Sequence, residues 1–199
     1  MSYLIQAAAV IINFAFGIYI LMIMLRFLFQ WVRADFYNPI SQALVKLTNP
    51  PLIMLRRVIP GLWGIDLAAI VLMLLLQSLE LFLAGDPASR VPGLIHGQLL
   101  NLAGLPVAAL AALLNLAIWV FIIALLIQII ISWINPSAAY NNPVASLLFA
   151  LTSPLMRPAR RLMPPVSGID FSPMVVLLGL YLAQILIVQP LQHLALSLL

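Results

Sequence analysis

Apolar residues run almost unbroken through Tyr3–Phe29, Leu67–Ala84, Pro106–Ile134 and Pro173–Leu196. Crossing about 30 Å of hydrocarbon takes roughly 17–25 helical residues, so each stretch predicts a transmembrane α-helix. The first and third exceed that need and predict tilted or protruding helices. Trp31 and Trp133 stand at their exits, where interfacial aromatics anchor a span.

Between the first two spans the pattern changes. Asn38 suits a helix cap and Pro39 a first helical residue. Ile40, Ala43, Leu44 and Leu47 follow at i, i+3, i+4 and i+7, while Ser41, Gln42 and Lys46 point elsewhere. Too short to span, this segment predicts a helix lying in the membrane interface. Thr48-Asn49-Pro50-Pro51 is expected to end it. A second short turn then carries Arg56-Arg57, Pro60 stops that turn, and Gly64-Ile65-Asp66 opens the next span.

The second half repeats this plan. Asn142-Pro143, the face Val144, Leu147, Leu148 and Leu151, Thr152-Ser153-Pro154, Arg160-Arg161, Pro164 and Gly168-Ile169-Asp170 stand 104 residues on. About 12 of about 29 positions are identical, which marks a tandem repeat. Trp31 and Trp133 are 102 apart, so the second copy gains two residues near Ser137-Ala138. The repeats are residues 1–84, with loop 30–66, and 106–199, with loop 135–172; residues 85–105 connect them.

Composition agrees with a bilayer. Of 199 residues, 65% are hydrophobic and 7% charged, against about 25% charged in soluble domains. Mean hydropathy is +1.18. The absence of cysteine excludes disulfides, thiolate metal sites and thioether-linked haem. Residues 1–30 lack a basic start and a small-residue cleavage site, and read as a retained helix. The formal net charge is +4, and its distribution carries the meaning. Arg26, Arg33, Lys46, Arg56 and Arg57 lie in or beside the first loop. Arg157, Arg160 and Arg161 lie in the second, and Arg90 alone lies in the connection. The positive-inside rule puts both loops in the cytoplasm, with the termini and connection outside. Two spans per repeat give both copies one orientation, about an axis along the membrane normal. The expected fold is all-α: four transmembrane helices in two parallel repeats of helix, basic interfacial loop, helix.

The loops carry the candidate chemistry. Asp66 and Asp170 begin helices, where capping with a favourable dipole accounts for them; Ser172-Pro173 can share that role. The arginines have three possible partners: the nearby Asp, anionic lipid headgroups at about 1 kcal/mol per cation, or an acidic macromolecule. Local pairing and lipid are the structural accounts and are preferred, with no direct nucleic-acid binding expected. Within the spans, Asn13 corresponds to Asn115, Arg26 to Gln128 and Glu80 to Gln184. Glu80 and Gln184 lie about 21 Å from their capping Asp, and Asn13 and Asn115 roughly 27 Å from Trp31 and Trp133. All four fall in the outer half, predicting a polar cluster that joins the repeats. Interhelical hydrogen bonding at about 0.6 kcal/mol per bond is preferred over a cation site with Glu80 as its anionic ligand. Arg26 is about 7 Å from the inner interface and can snorkel there. His96 and His193 lack a third ligand, so neither metal nor cofactor is expected. No Walker loop, zinc helix or nucleophile elbow appears, and no catalytic constellation.

The tandem plan Asn-Pro, Leu-Thr-x-Pro, Arg-Arg, Pro, Gly-x-Asp between paired spans resembles the YggT family of bacterial membrane proteins, whose plastid and Gram-positive relatives are called YlmG. The resemblance covers nearly the whole chain. The second copy, Ser167-Gly168-Ile169-Asp170-Phe171-Ser172-Pro173, is the fuller match. The first has Leu62-Trp63 before its Gly and Leu67-Ala68-Ala69 after its Asp. If that part of the motif matters, the second loop is the working one. The resemblance implies a small bacterial inner-membrane protein, in a family linked variously to osmotic tolerance, potassium uptake, cell division and cytochrome assembly. The expected function is a membrane scaffold, assembly or stress-related factor presenting Arg56, Arg57, Arg157, Arg160 and Arg161 to anionic lipid headgroups or a membrane-protein partner. The alternative is an osmotic-stress or potassium-transport component acting as a homo-oligomer or with a partner.

Overall fold

The computed structural model describes residues 3–61, 64–84, 104–134, 142–163 and 170–198. In chain order the helices are α1 (Tyr3–Trp31), α2 (Pro39–Arg56), α3 (Leu67–Ala84), α4 (Gly104–Ile134), α5 (Pro143–Leu162) and α6 (Ser172–Ala183). A π-helical turn, Gln184–Val188, then leads into α7 (Gln189–Ser197). No strand occurs among the described residues. Helix α1, α3, α4 and the composite α6–α7 are each long and apolar enough to cross a membrane, the make-up of a multi-pass membrane protein.

The first span ends by a backbone device. The Ala34 N–H donates to Phe29 O at 2.8 Å and the Arg33 N–H to Gln30 O at 3.1 Å, with Arg33 at φ 55. This is a Schellman stop, with arginine in the left-handed position that glycine usually takes. It turns the chain sharply into the loop, and Ala34 is buried beneath the turn.

Helix α3 packs between α1 and α4, and α4 also carries α6–α7. Helix α2 rests on α1 and α3, while α5 rests on α4 and α6 and also touches α1. The core gathers toward the loop end: Ile20, Ile23 and Leu28 of α1 meet Ala68, Ala69 and Met73 of α3, Leu52 of α2, and Leu147 and Leu151 of α5. Alanines at 68 and 69 leave no side-chain bulk between helices, as close packing in lipid requires. The N-terminal half of α1, by contrast, exposes Leu4, Val10, Ile11 and Phe14.

Two local expectations are corrected. Pro50 and Pro51 do not end α2, nor does Pro154 end α5; both helices continue into the arginines, and α5 also contains Pro158. An internal proline costs roughly 3 kcal/mol. Here burial on both sides of the proline overrides that cost: Leu44, Thr48 and Leu52 form one buried stripe through the break. Leu151, Thr152, Met156 and Ala159 do the same in α5. The buried face of α2 also differs from the expected one. Ser41 is buried and Leu47 is 55% exposed. Apolar periodicity marks the faces of a helix that avoid water, and it does not say which of them packs on the rest of the protein. The π turn was not anticipated either. Pro190 lacks an N–H, and the Gln189 N–H bonds Gln184 O, so the wide turn absorbs the disruption.

Candidate functional site

The two loop helices meet at their N-termini. The Asn38 carboxamide oxygen accepts the Ile40 N–H at 3.0 Å, capping α2 ahead of Pro39. Its amide nitrogen donates across the repeat boundary to Pro143 O at 2.7 Å and Ser146 Oγ at 3.4 Å. Asn142 caps α5 through the Val144 N–H at 2.8 Å and the Ala145 N–H at 3.4 Å. Asn38 is buried and Asn142 exposed. Thus one cap also ties the repeats together, and both loops occupy one end of the bundle.

Each loop helix is next clasped by the preceding span. Arg26 Nη1 donates to Thr48 Oγ1 at 2.8 Å and to Val45 O at 3.4 Å. In the second repeat the Thr152 hydroxyl donates to Gln128 Oε1. Both threonines are fully buried, and Arg26 is only 6% exposed. Arg26 therefore turns inward onto α2 instead of snorkelling to the surface. The signal was present in the sequence, since 26 with 48 and 128 with 152 are matched pairs of the repeat.

At the far end, an ion pair links loop helix to the next span in each copy. Arg56 Nη2 pairs with Asp66 Oδ2, and Arg160 Nε with Asp170 Oδ2 at 3.0 Å. Asp66 Oδ1 accepts the Ala69 N–H at 3.3 Å, capping α3. Asp170 sits ahead of Phe171, which takes the cap position without a side-chain bond. Its Oδ1 accepts the Ser172 N–H at 2.9 Å and the Ser172 hydroxyl at 2.5 Å, just before Pro173. Burial pushes the Asp170 carboxyl up, but the Ser172 bonds and the Arg160 guanidinium outweigh it and hold the group below its usual range. Gly64 precedes Asp66 at φ 84, a conformation open to glycine. Gly168 lies outside the described residues, as do His96 and Arg90. Lys46, Arg57, Arg157 and Arg161 are exposed and make no ion pair among the described residues.

The polar residues of the spans form two separate pairs. Gln184 Nε2 donates to Asn115 Oδ1 at 2.7 Å, inside the second repeat. Gln77 Nε2 donates to Glu80 Oε2 at 3.0 Å, inside α3. Asn13 Oδ1 is buried with no hydrogen-bond partner. Gln77 had no place in the expected cluster, because its counterpart at 181 is a tyrosine. His193 is exposed, and no group of three metal-binding side chains occurs among the described residues.

Comparison with known proteins gives consistent matches. A family model described as CCB3/YggT matches residues 5–85 and again 107–191, one match per repeat. An uncharacterised Pseudomonas aeruginosa protein is 40% identical over 182 residues, 92% of this chain and 88% of the relative. The uncharacterised protein YggT of Escherichia coli K12 is 35% identical over 175 residues, 88% of this chain and 86% of the relative. A Haemophilus influenzae relative is 34% identical over 157 residues, 79% and 78% of the two chains. No solved structure matches the chain.

Proposed function

The chain belongs to the CCB3/YggT family, and on that premise we propose that it is a non-catalytic scaffold of the bacterial inner membrane. Its two loop helices form one basic cytoplasmic platform that docks on anionic lipid headgroups and presents itself to a membrane-protein partner. One observation carries this reading: the Asn38–Pro143 bond places both loops together. Exposed Lys46, Arg57, Arg157 and Arg161 thereby share one end of the bundle, while Arg56 and Arg160 are matched by Asp66 and Asp170. At about 1 kcal/mol per cation near an anionic surface, four such charges supply roughly 4 kcal/mol of lipid preference. The positive-inside rule supports the cytoplasmic placement.

The test is reconstitution into nanodiscs of mixed anionic and zwitterionic lipid. Wild type is expected to enrich anionic lipid around itself, and a variant with Arg57, Arg157 and Arg161 changed to Ala to lose that enrichment. Identical lipid shells and identical crosslinked partners for the two proteins would defeat the proposal.

A further inference from the structure

Position 26 separates a structural role from a surplus charge. In the second repeat a neutral glutamine, Gln128, suffices to hold Thr152. In the first, Arg26 holds Thr48 with one nitrogen while bringing a full positive charge into a buried position. Its recorded acceptors are the Thr48 hydroxyl and the Val45 carbonyl, neither of them an anion. A buried cation without an anionic partner is costly.

Arg26 lines a cavity of about 370 Å³ at the loop end of α1, together with Gln30, Arg56, Gly61, Gly64 and Asp66. This is room for several waters, or for a phosphate with its glycerol linkage. Asp66 is committed to Arg56 and to the Ala69 N–H. Two guanidiniums against one carboxylate leave the cavity with a single net positive charge. Two glycines, Gly61 and Gly64, are among its lining residues. A Cβ at Gly61 would come within 3.2 Å of Ile65 O, and Gly64 has φ +84. The corresponding positions of the second repeat carry Gln128, Ser132 and Pro165 for Arg26, Gln30 and Gly61. They provide neither the added cation nor the glycine.

We propose that this cavity is a discrete binding site for the phosphodiester of one anionic phospholipid, present in the first repeat alone. Arg26 and Arg56 hold the phosphate oxygens, and Gln30 supplies a further amide donor. Arg26 lies five residues before Trp31, about 7 Å along the helix to the membrane side of the interface, so its long side chain meets a phosphate drawn just inside the headgroup layer. The proposal deepens the lipid-platform reading and rests on it, but names one stoichiometric site that the platform does not require.

Native mass spectrometry of the full chain in detergent, titrated with phosphatidylglycerol, phosphatidylcholine or inorganic phosphate, tests it. Arg26→Gln is the central variant because glutamine already performs the structural role at position 128. Wild type should retain one phosphatidylglycerol, and Arg26→Gln should bind it about tenfold or more weakly, the worth of one charge-assisted contact. Phosphatidylglycerol should raise the thermal midpoint of wild type but not of Arg26→Gln, whose lipid-free midpoint stays close to wild type. Equal binding of phosphatidylglycerol by both proteins would overturn the site. Inorganic phosphate occupying it in preference to lipid would overturn the lipid assignment. The Arg57, Arg157 and Arg161 triple variant should lose general lipid enrichment yet keep the single bound lipid. Loss of that lipid in the triple variant but not in Arg26→Gln would return the binding to the platform and refute the discrete site.

Discussion

Arginine at 26 grips Thr48 and glutamine at 128 grips Thr152, the matching threonine of the second loop helix, and comparable contrasts recur at other single side chains. Glu80 occupies the position of Gln184, which gives an N–H to Asn115. Asn13, the counterpart of Asn115, has a buried oxygen without a partner. Glu80→Gln should therefore fold as well as wild type, since an amide at this position can donate where a carboxylate cannot. Glu80→Leu, which strands the Gln77 amide, should lower the thermal midpoint in detergent by several degrees. A larger loss for Gln than for Leu would contradict this account, and altered cation flux in Glu80→Gln liposomes would favour the transport alternative. Asp170 gives a pH prediction. Its carboxyl is held below the usual range in the folded chain, so it favours folding when ionised. That contribution is complete above the ordinary Asp value of about 4 and fades as pH falls through the lower folded value. Midpoints measured from neutral pH downward should show this acid loss in wild type. Asp170→Asn should start lower and lack that component.

At the scale of elements, the loop helices show where sequence patterns stop being decisive. The caps were legible: Asn38-Pro39 and Asn142-Pro143 open α2 and α5 as their chemistry requires. The ends were not, because proline signals a break only when nothing else holds the two halves in register. Burial of Thr48 and Leu52 around Pro50-Pro51 does so here. Thr48→Val keeps the shape but removes the acceptor for Arg26, leaving a buried guanidinium short of a bond. Its cost should be about 1–3 kcal/mol by denaturant unfolding. Thr152→Val, facing a neutral glutamine, should cost less, and equal costs would show that the charge of Arg26 is immaterial to the clasp. The sequence also favoured the second loop, whose motif is fuller. The cavity and the surplus cation lie in the first.

Across the whole molecule, the Asn38–Pro143 bond joins the two loop helices, as the proposed platform requires. Because the chain has no cysteine, introduced thiols report cleanly. Cysteines replacing Asn38 and Ser146, whose side chains approach to 3.4 Å, should be joined efficiently by a short bismaleimide crosslinker. Failure to crosslink would separate the loops and weaken the platform reading. Arg57→Cys and Arg161→Cys should both react with an impermeant reagent from the cytoplasmic side alone; labelling of either from outside would reverse the proposed orientation. The sequence by itself determined the spans, the duplication and the clustering of cations in two loops. Hydrocarbon thickness, helix rise and charge bias act along the chain and need no knowledge of neighbours. Only the tertiary structure decided which loop face is buried, that prolines are carried through α2 and α5, and that Arg26 turns inward beside Arg56. Those outcomes depend on what packs against each side chain, and a buried contact or cavity exists only once separate segments share one space.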